Sequence, residues 1–232
     1  MSVYLIHGDK GGVGKSMLAA TFIEYLLSRA LPMVLVDGDQ RNTDVGRLFK
    51  DTITTVSPNL RERSGWLEVA DLLNDQTAND VVIVLPGNIG SEFTTEGEFL
   101  GDVLHDLKRS LATFFVLNRS ADSVNLLRVF AEKFGNLGKI VGVRNLFFGD
   151  TERFTRWNDS KTRAALLKNG TKEMDFEELL DSVVDESFSA LPPRRFTDTD
   201  LSYAKKLTLR RWLDRNFAAF DTLSEYIGVG QR

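Results

Sequence analysis

Lys10-Gly11-Gly12-Val13-Gly14-Lys15-Ser16 is the stretch of this chain whose residue types and spacing most plainly specify chemistry. Closely spaced glycines let backbone N–H groups curl around an anion without interference from a Cβ. A helix starting near Lys15 would aim its unsatisfied N–H groups and the positive end of its dipole at the same anion. In such a loop Lys15 reaches the β- and γ-phosphates of a nucleotide, and the Ser16 hydroxyl coordinates Mg²⁺. The pattern G-x-x-x-x-G-K-[ST] is not met in full, because Asp9 stands where its first glycine would be and Lys10 adds a second lysine. Further on, Asp37-Gly38-Asp39 places carboxylates after an apolar run, where open α/β sheets gather their ligands.

These residues need elements to hold them. Val3-Tyr4-Leu5-Ile6 reads as a buried strand before the glycines, and the stretch from Ser16 to about Arg29 is apolar at helical spacing. Pro32 ends it, and Met33-Val34-Leu35-Val36 is a second strand closing at Asp37. Strand, glycine loop, helix, strand is the βαβ unit of a parallel sheet. The alternation continues through helices at 66–73, 99–109 and 123–134 and strands at 81–85, 114–117 and 140–143. Their continuous apolar runs fit strands covered on both faces. The last third reads as helical at 162–168, 176–184 and 200–226, with a final strand at 188–191. The expected fold class is α/β, a three-layer, mostly parallel sheet in one domain over 1–232, with a helical C-terminal region from about 192.

Composition narrows the function. Hydrophobic residues make up 42% and charged residues 27%, a globular balance that argues against disorder. The chain has no cysteine, which excludes disulfides, thiolate metal sites, iron–sulfur clusters and a thiol nucleophile. A net charge of −4 lacks the strong positive field of a dedicated nucleic-acid binder. No stretch approaches the ~20 apolar residues that span a bilayer, and the N-terminus has no signal-peptide pattern, so a cytoplasmic location is expected.

The loop with both Lys10 and Lys15 resembles that of the deviant Walker A ATPases (ParA/MinD type), which include partition ATPases and the cell-division site-selecting ATPase. The string Gly8 to Ser16 is most similar to the branch found in plasmid stability, mobilisation and conjugal-transfer operons. The resemblance implies a P-loop NTPase fold, ATP and Mg²⁺ as cofactors, and ATP sandwiched between subunits of a homodimer. Gly11, Gly12, Val13, Gly14, Lys15, Ser16 and Met17 would bind the nucleotide, with Lys15 acting in cis and Lys10 on the partner's nucleotide. Asp37 would help hold the hydrated Mg²⁺ beside Ser16, and Asp39 would orient the attacking water. The alternative is that these carboxylates only close a strand and cap a helix near Asn42 and Thr43. Asn145 and Pro192 correspond to residues that flank the adenine, although an Asn at a strand end is also an ordinary turn residue.

The chain departs from the family where a strand should end in Asp-x-Pro. Val84 and Leu85 precede Pro86, and neither can hydrogen-bond metal-bound water. Asp37 or Glu92 is a candidate to compensate. The reading is therefore an ATP-dependent dimerising switch with slow hydrolysis, acting in plasmid partition, stability, mobilisation or conjugation. Its alternative is a nucleotide-binding adaptor with little or no turnover. A metabolic kinase on the same fold would leave Lys10 unexplained. Between Pro192 and Arg232 there are 8 basic and 5 acidic residues, and Lys205, Lys206, Arg210, Arg211 and Arg215 offer a surface for non-specific DNA binding. The bland reading of the same residues is the solvated face of a helix whose other side packs on the sheet. A plasmid-encoded protein is the other expected partner, and a membrane is not.

Overall fold

The computed structural model describes residues 1–8, 10–40 and 44–230; Asp9, Asn42 and Thr43 lie outside them. The chain runs β1 (Ser2–His7), α1 (Lys15–Ser28), β2 (Met33–Asp37), α2 (Asp44–Phe49), β3 (Thr54–Val56), α3 (Arg63–Asp75), β4 (Asp80–Val84) and α4 (Gly90–Asp106). It continues through β5 (Ser110–Leu117), α5 (Ala121–Phe134), β6 (Lys139–Asn145), α6 (Thr155–Asn158), α7 (Lys161–Lys168), β7 (Lys172–Phe176), α8 (Asp181–Ser187) and α9 (Tyr203–Ile227).

The strands form a seven-stranded sheet in the order β3-β2-β4-β1-β5-β6-β7, and every pairing is parallel. Alternate residues of β1 serve opposite cores: Tyr4 and Ile6 pack with α1 and α9 on one face, Val3 and Leu5 with α3, α4 and α5 on the other. The first core is built around aromatic contacts of Phe22 with Tyr4, Phe114 and Phe220. The second stacks Phe93, Phe130 and Phe134 between α4 and α5. β1 sits between β4 and β5; the chain leaves β1 toward the face of α1 and leaves β4 and β5 toward the opposite face, which opens a crevice at their carboxyl ends.

The expected three-layer parallel architecture is what forms. Three local expectations change. The last strand is not 188–191: Phe188 caps the end of α8, and the seventh strand is Lys172–Phe176. That segment pairs only with β6, so it is an edge strand in which buried Met174 and Phe176 alternate with partly covered polar residues. The helix expected over 176–184 shortens accordingly to α8, and that expected over 99–109 begins already at Gly90. Among the described residues, no helix is long and apolar enough to cross a membrane.

Candidate phosphate-binding site

The chain turns from β1 into α1 through a loop whose shape depends on two glycines. Gly12 and Gly14 adopt φ of 73° and 98°, the left-handed region that other residues rarely enter. Gly14 is doubly constrained, because a Cβ there would stand 2.2 Å from Nδ2 of Asn145. Lys15, largely buried at the start of α1, folds back over the loop: its ammonium donates to the carbonyls of Gly8 at 2.9 Å and Lys10 at 3.1 Å. The loop therefore presents a cation at its centre, held by its own backbone.

This loop forms one wall of a crevice of about 610 Å³, into which Ser16, Met17 and Asp39 also face. The opposite wall is the segment after β4, where Val84, Leu85, Gly87 and Asn88 line the space together with Arg61. Val84 and Leu85 are buried. Leu85 N–H donates to Ile6, and Gly38 N–H donates to Val84, so β1, β2 and β4 converge at this point. An aliphatic surface thus stands where the resemblance led us to seek a carboxylate. Glu92 does not line the crevice; the Ser91 hydroxyl, and after it Arg61 at 3.3 Å, hold its carboxyl below the usual range.

The paired aspartates separate in space. Asp39 lines the crevice, whereas Asp37 is fully buried, accepting from the N–H of Gly46 in α2 at 2.8 Å and from that of Asp39 at 3.4 Å. Burial pushes the Asp37 carboxyl up to about 6, outweighing those two N–H bonds, and the nearby Asp39 and Asp44 charges add to the rise. The carboxylate of Asp37, the residue expected to help hold the hydrated Mg²⁺, ties the end of β2 to α2. Among the described residues no cluster of three His, Cys, Asp or Glu side chains could hold a metal by itself. The hydroxyl of Ser16 and the carboxylate of Asp39 fit a Mg²⁺ that takes most of its ligands from phosphate and water.

Lys10 does not join Lys15 at the centre. Its ammonium lies 2.7 Å from the Asp122 carboxylate in the first turn of α5, and this pairing holds that carboxyl below the usual range. α5 is capped by Ser120, whose hydroxyl accepts from Ser123 N–H.

Beside the crevice a second pocket of about 200 Å³ shares Gly12, Gly14 and Met17 with it and extends over Phe147, Leu179 and Trp212. Asn145 stands at the junction. Its Nδ2 donates to the Val13 carbonyl at 2.9 Å, and its Oδ1 accepts from Phe147 N–H at 3.1 Å. Pro192 does not line this pocket, whereas residues 177–179, directly after β7, do. The reason is the displaced last strand, which leaves Pro192 exposed in a loop.

Of the five basic residues singled out on α9, three already face carboxylates: Lys205 with Glu186 at 2.6 Å, Lys206 with Asp200 at 3.3 Å and Arg215 with Glu177 at 3.8 Å. Arg210 and Arg211 are exposed, and the other side of the helix buries Leu209, Trp212 and Leu213 in the core.

Besides Asp122, two site residues escape sequence reasoning. His7 ends β1 against the loop, packed among Phe93, Phe115 and Phe130, and burial pushes its imidazole down to about 3. Among the described residues its Nδ1 has no hydrogen-bond partner, so it is a neutral wedge under the phosphate loop. The only sequence signal is its position before Gly8. Arg61, in the wall of the crevice, gives no signal at all.

Comparison with known proteins supplies the family. No family model matches the chain. Protein MobD of Acidithiobacillus ferrooxidans is 33% identical over 211 residues, which cover 91% of this chain and 92% of that protein. Among solved structures, the MinD cell division protein of Aquifex aeolicus superposes with a TM-score of 0.53 at 12% identity, over 94% of this chain and 97% of its own. Chloroplast FtsY of Physcomitrella patens reaches 0.57 at 12% identity, over 91% of this chain and 64% of FtsY. A nucleotide-binding protein of Archaeoglobus fulgidus, solved in complex with ADP, gives 0.52 at 15% identity, over 85% and 88%. At these identities the structural likeness establishes the fold alone, that of the P-loop NTPases. The match along nearly the whole length of a curated relative goes further: this chain belongs to the MobD family.

Proposed function

We propose that this chain is an ATP-binding, deviant Walker A switch that dimerises around ATP and Mg²⁺, hydrolyses ATP slowly and acts in plasmid mobilisation or partition. The observation that carries the reading is the loop itself: left-handed Gly12 and Gly14 and a centred Lys15 ammonium facing a crevice deep enough for a nucleotide. Lys15 and the loop N–H groups would bind the phosphates. Mg²⁺ would neutralise phosphate charge when bound, with Ser16 and Asp39 as its protein-side contacts. Asp39 would also orient water, while Asp37 fixes the segment that carries it.

Lys10 supports the cross-subunit role. Its ammonium is engaged by Asp122 rather than by the crevice of its own chain, which supports a role on a neighbour's nucleotide over one on its own. The adaptor reading is favoured by one observation, the buried aliphatic pair Val84 and Leu85. Light scattering with ATP and Mg²⁺, alongside turnover measured with and without DNA, separates the readings. The switch requires a mass increase with ATP, nucleotide binding that Lys15→Ala abolishes, and a dimer that Lys10→Ala loses while still binding ATP. It also requires turnover that Asp39→Ala removes. An unchanged monomer, or equal loss of binding in both lysine variants, refutes the switch. ATP bound but unhydrolysed in every condition means an adaptor.

A further inference from the structure

The wall of the crevice opposite the phosphate loop is held in place by one side chain. Arg61 lies between β3 and α3, and its guanidinium donates to the carbonyls of Gly87 at 2.6 Å and Asn88 at 3.2 Å while pairing with Glu92 at 3.3 Å. Its mounting is rigid: Arg61 N–H donates to the Asn59 side chain at 3.2 Å, and the indole of buried Trp66 anchors the Leu60 carbonyl at 2.9 Å. The segment it holds turns sharply and runs close to the phosphate loop. Asn88 has φ of 55°, a left-handed turn conformation that Asn adopts more readily than other residues with a side chain. A Cβ on Gly87 would stand 3.2 Å from the backbone of Gly11.

Among the described residues that line the crevice, the cations are Lys15 and Arg61, and they face the carboxylates of Asp39 and Asp44. That leaves no surplus positive charge for a triphosphate. Lys15 is committed to the centre of the loop, whereas two of the three groups held by Arg61 are neutral carbonyls. A guanidinium bonds an anionic phosphate more strongly than a carbonyl, and it can do so with two donors at once.

We propose that Arg61 reads the terminal phosphate: with a triphosphate bound, its guanidinium leaves the Gly87 and Asn88 carbonyls for that phosphate, freeing the segment that leads into α4. This rests on the nucleotide reading above and adds to it the residue that tells ATP from ADP. It also supplies, from a different element, a link between the phosphate and the end of β4 that Val84 and Leu85 cannot make.

The test is calorimetric titration of ATP and of ADP, each with Mg²⁺, into the unsubstituted protein, Arg61→Gln and Arg61→Lys, with thermal unfolding to confirm folding. Arg61→Gln is expected to weaken ATP at least ten-fold while leaving ADP within about three-fold, and Arg61→Lys to fall between. Hydrogen exchange at residues 88–90 is expected to rise with ATP but not ADP in the unsubstituted protein, and to be raised without nucleotide in Arg61→Gln. Equal losses for ATP and ADP, or unchanged ATP affinity, would reduce Arg61 to a structural clamp and overturn the proposal while leaving nucleotide binding intact. No binding of either nucleotide by the unsubstituted protein would overturn the nucleotide reading, and this proposal with it.

Discussion

Asp37→Asn is expected to make the nucleotide-free protein more stable at neutral pH, although the position is the carboxyl end of a strand at the heart of the site. The Asp37 carboxyl is pushed from 3.8 up to about 6 by burial. At ~1.4 kcal/mol per unit, that rise of about two units means that its charge costs about 3 kcal/mol in the folded state. The amide keeps an oxygen for the Gly46 N–H and forfeits the long 3.4 Å contact with the Asp39 N–H, a loss of about 1 kcal/mol. The balance is a gain of about 2 kcal/mol, or roughly 4–8 °C in Tm for a domain of this size. The sign with pH follows from the raised value. Below the unfolded value of 3.8 both states hold the proton and the carboxyl carries no penalty. The penalty grows as pH rises from there to about 6 and is complete above it, so the advantage of the variant should open over that window and then stay flat. Thermal unfolding of both proteins from pH 4 to pH 8 measures this. A variant less stable than its parent at pH 7.5, or equally advantaged at both ends, would refute the reasoning.

Two further outcomes follow from the loop. Gly14→Ala should destabilise the fold by about 1–3 kcal/mol, since it adds left-handed strain and drives Asn145 off Val13; chemical denaturation measures this, and a change below about 0.5 kcal/mol would contradict the packing. Asp122→Asn should free Lys10 and raise the dimer fraction at subsaturating ATP by no more than a few-fold, because the pair is exposed and screened by salt. Sedimentation at low and high salt reads the effect, which should shrink at high salt; a fall in dimer would instead make Asp122 part of the interface.

What the sequence made legible was whatever repeats a local pattern. Continuous apolar runs announced β1, β2, β4, β5 and β6 because both faces of each are covered. α2 and β3 are too short for any period to emerge. The N-terminal half of α4 was hidden by Thr94, Thr95 and Gly97, poor helix formers in isolation; a Cβ on Gly97 would stand 2.6 Å from the Phe134 ring, so glycine there serves the approach of α5. At the site, the loop glycines and lysines declare themselves by spacing. Asp122, Arg61 and His7 do not, since each matters only for what the fold brings to it from a distant segment. The displaced seventh strand explains Pro192: a one-sided edge strand, KEMDF, looks polar, and the apolar 188–191 looks like the better candidate.

Asn145 spends one amide hydrogen on Val13 and one lone pair on Phe147, which among the described residues leaves one donor and one acceptor site uncommitted. Any molecule that used them would be referenced to the phosphate loop through a single planar group at the end of β6. The two pockets then behave as one ruler: a ligand is judged by the distance between its ends as well as by the atoms at either end. Spacing itself becomes a criterion of selection, so a molecule with the right groups a bond too far apart would engage one pocket at the expense of the other.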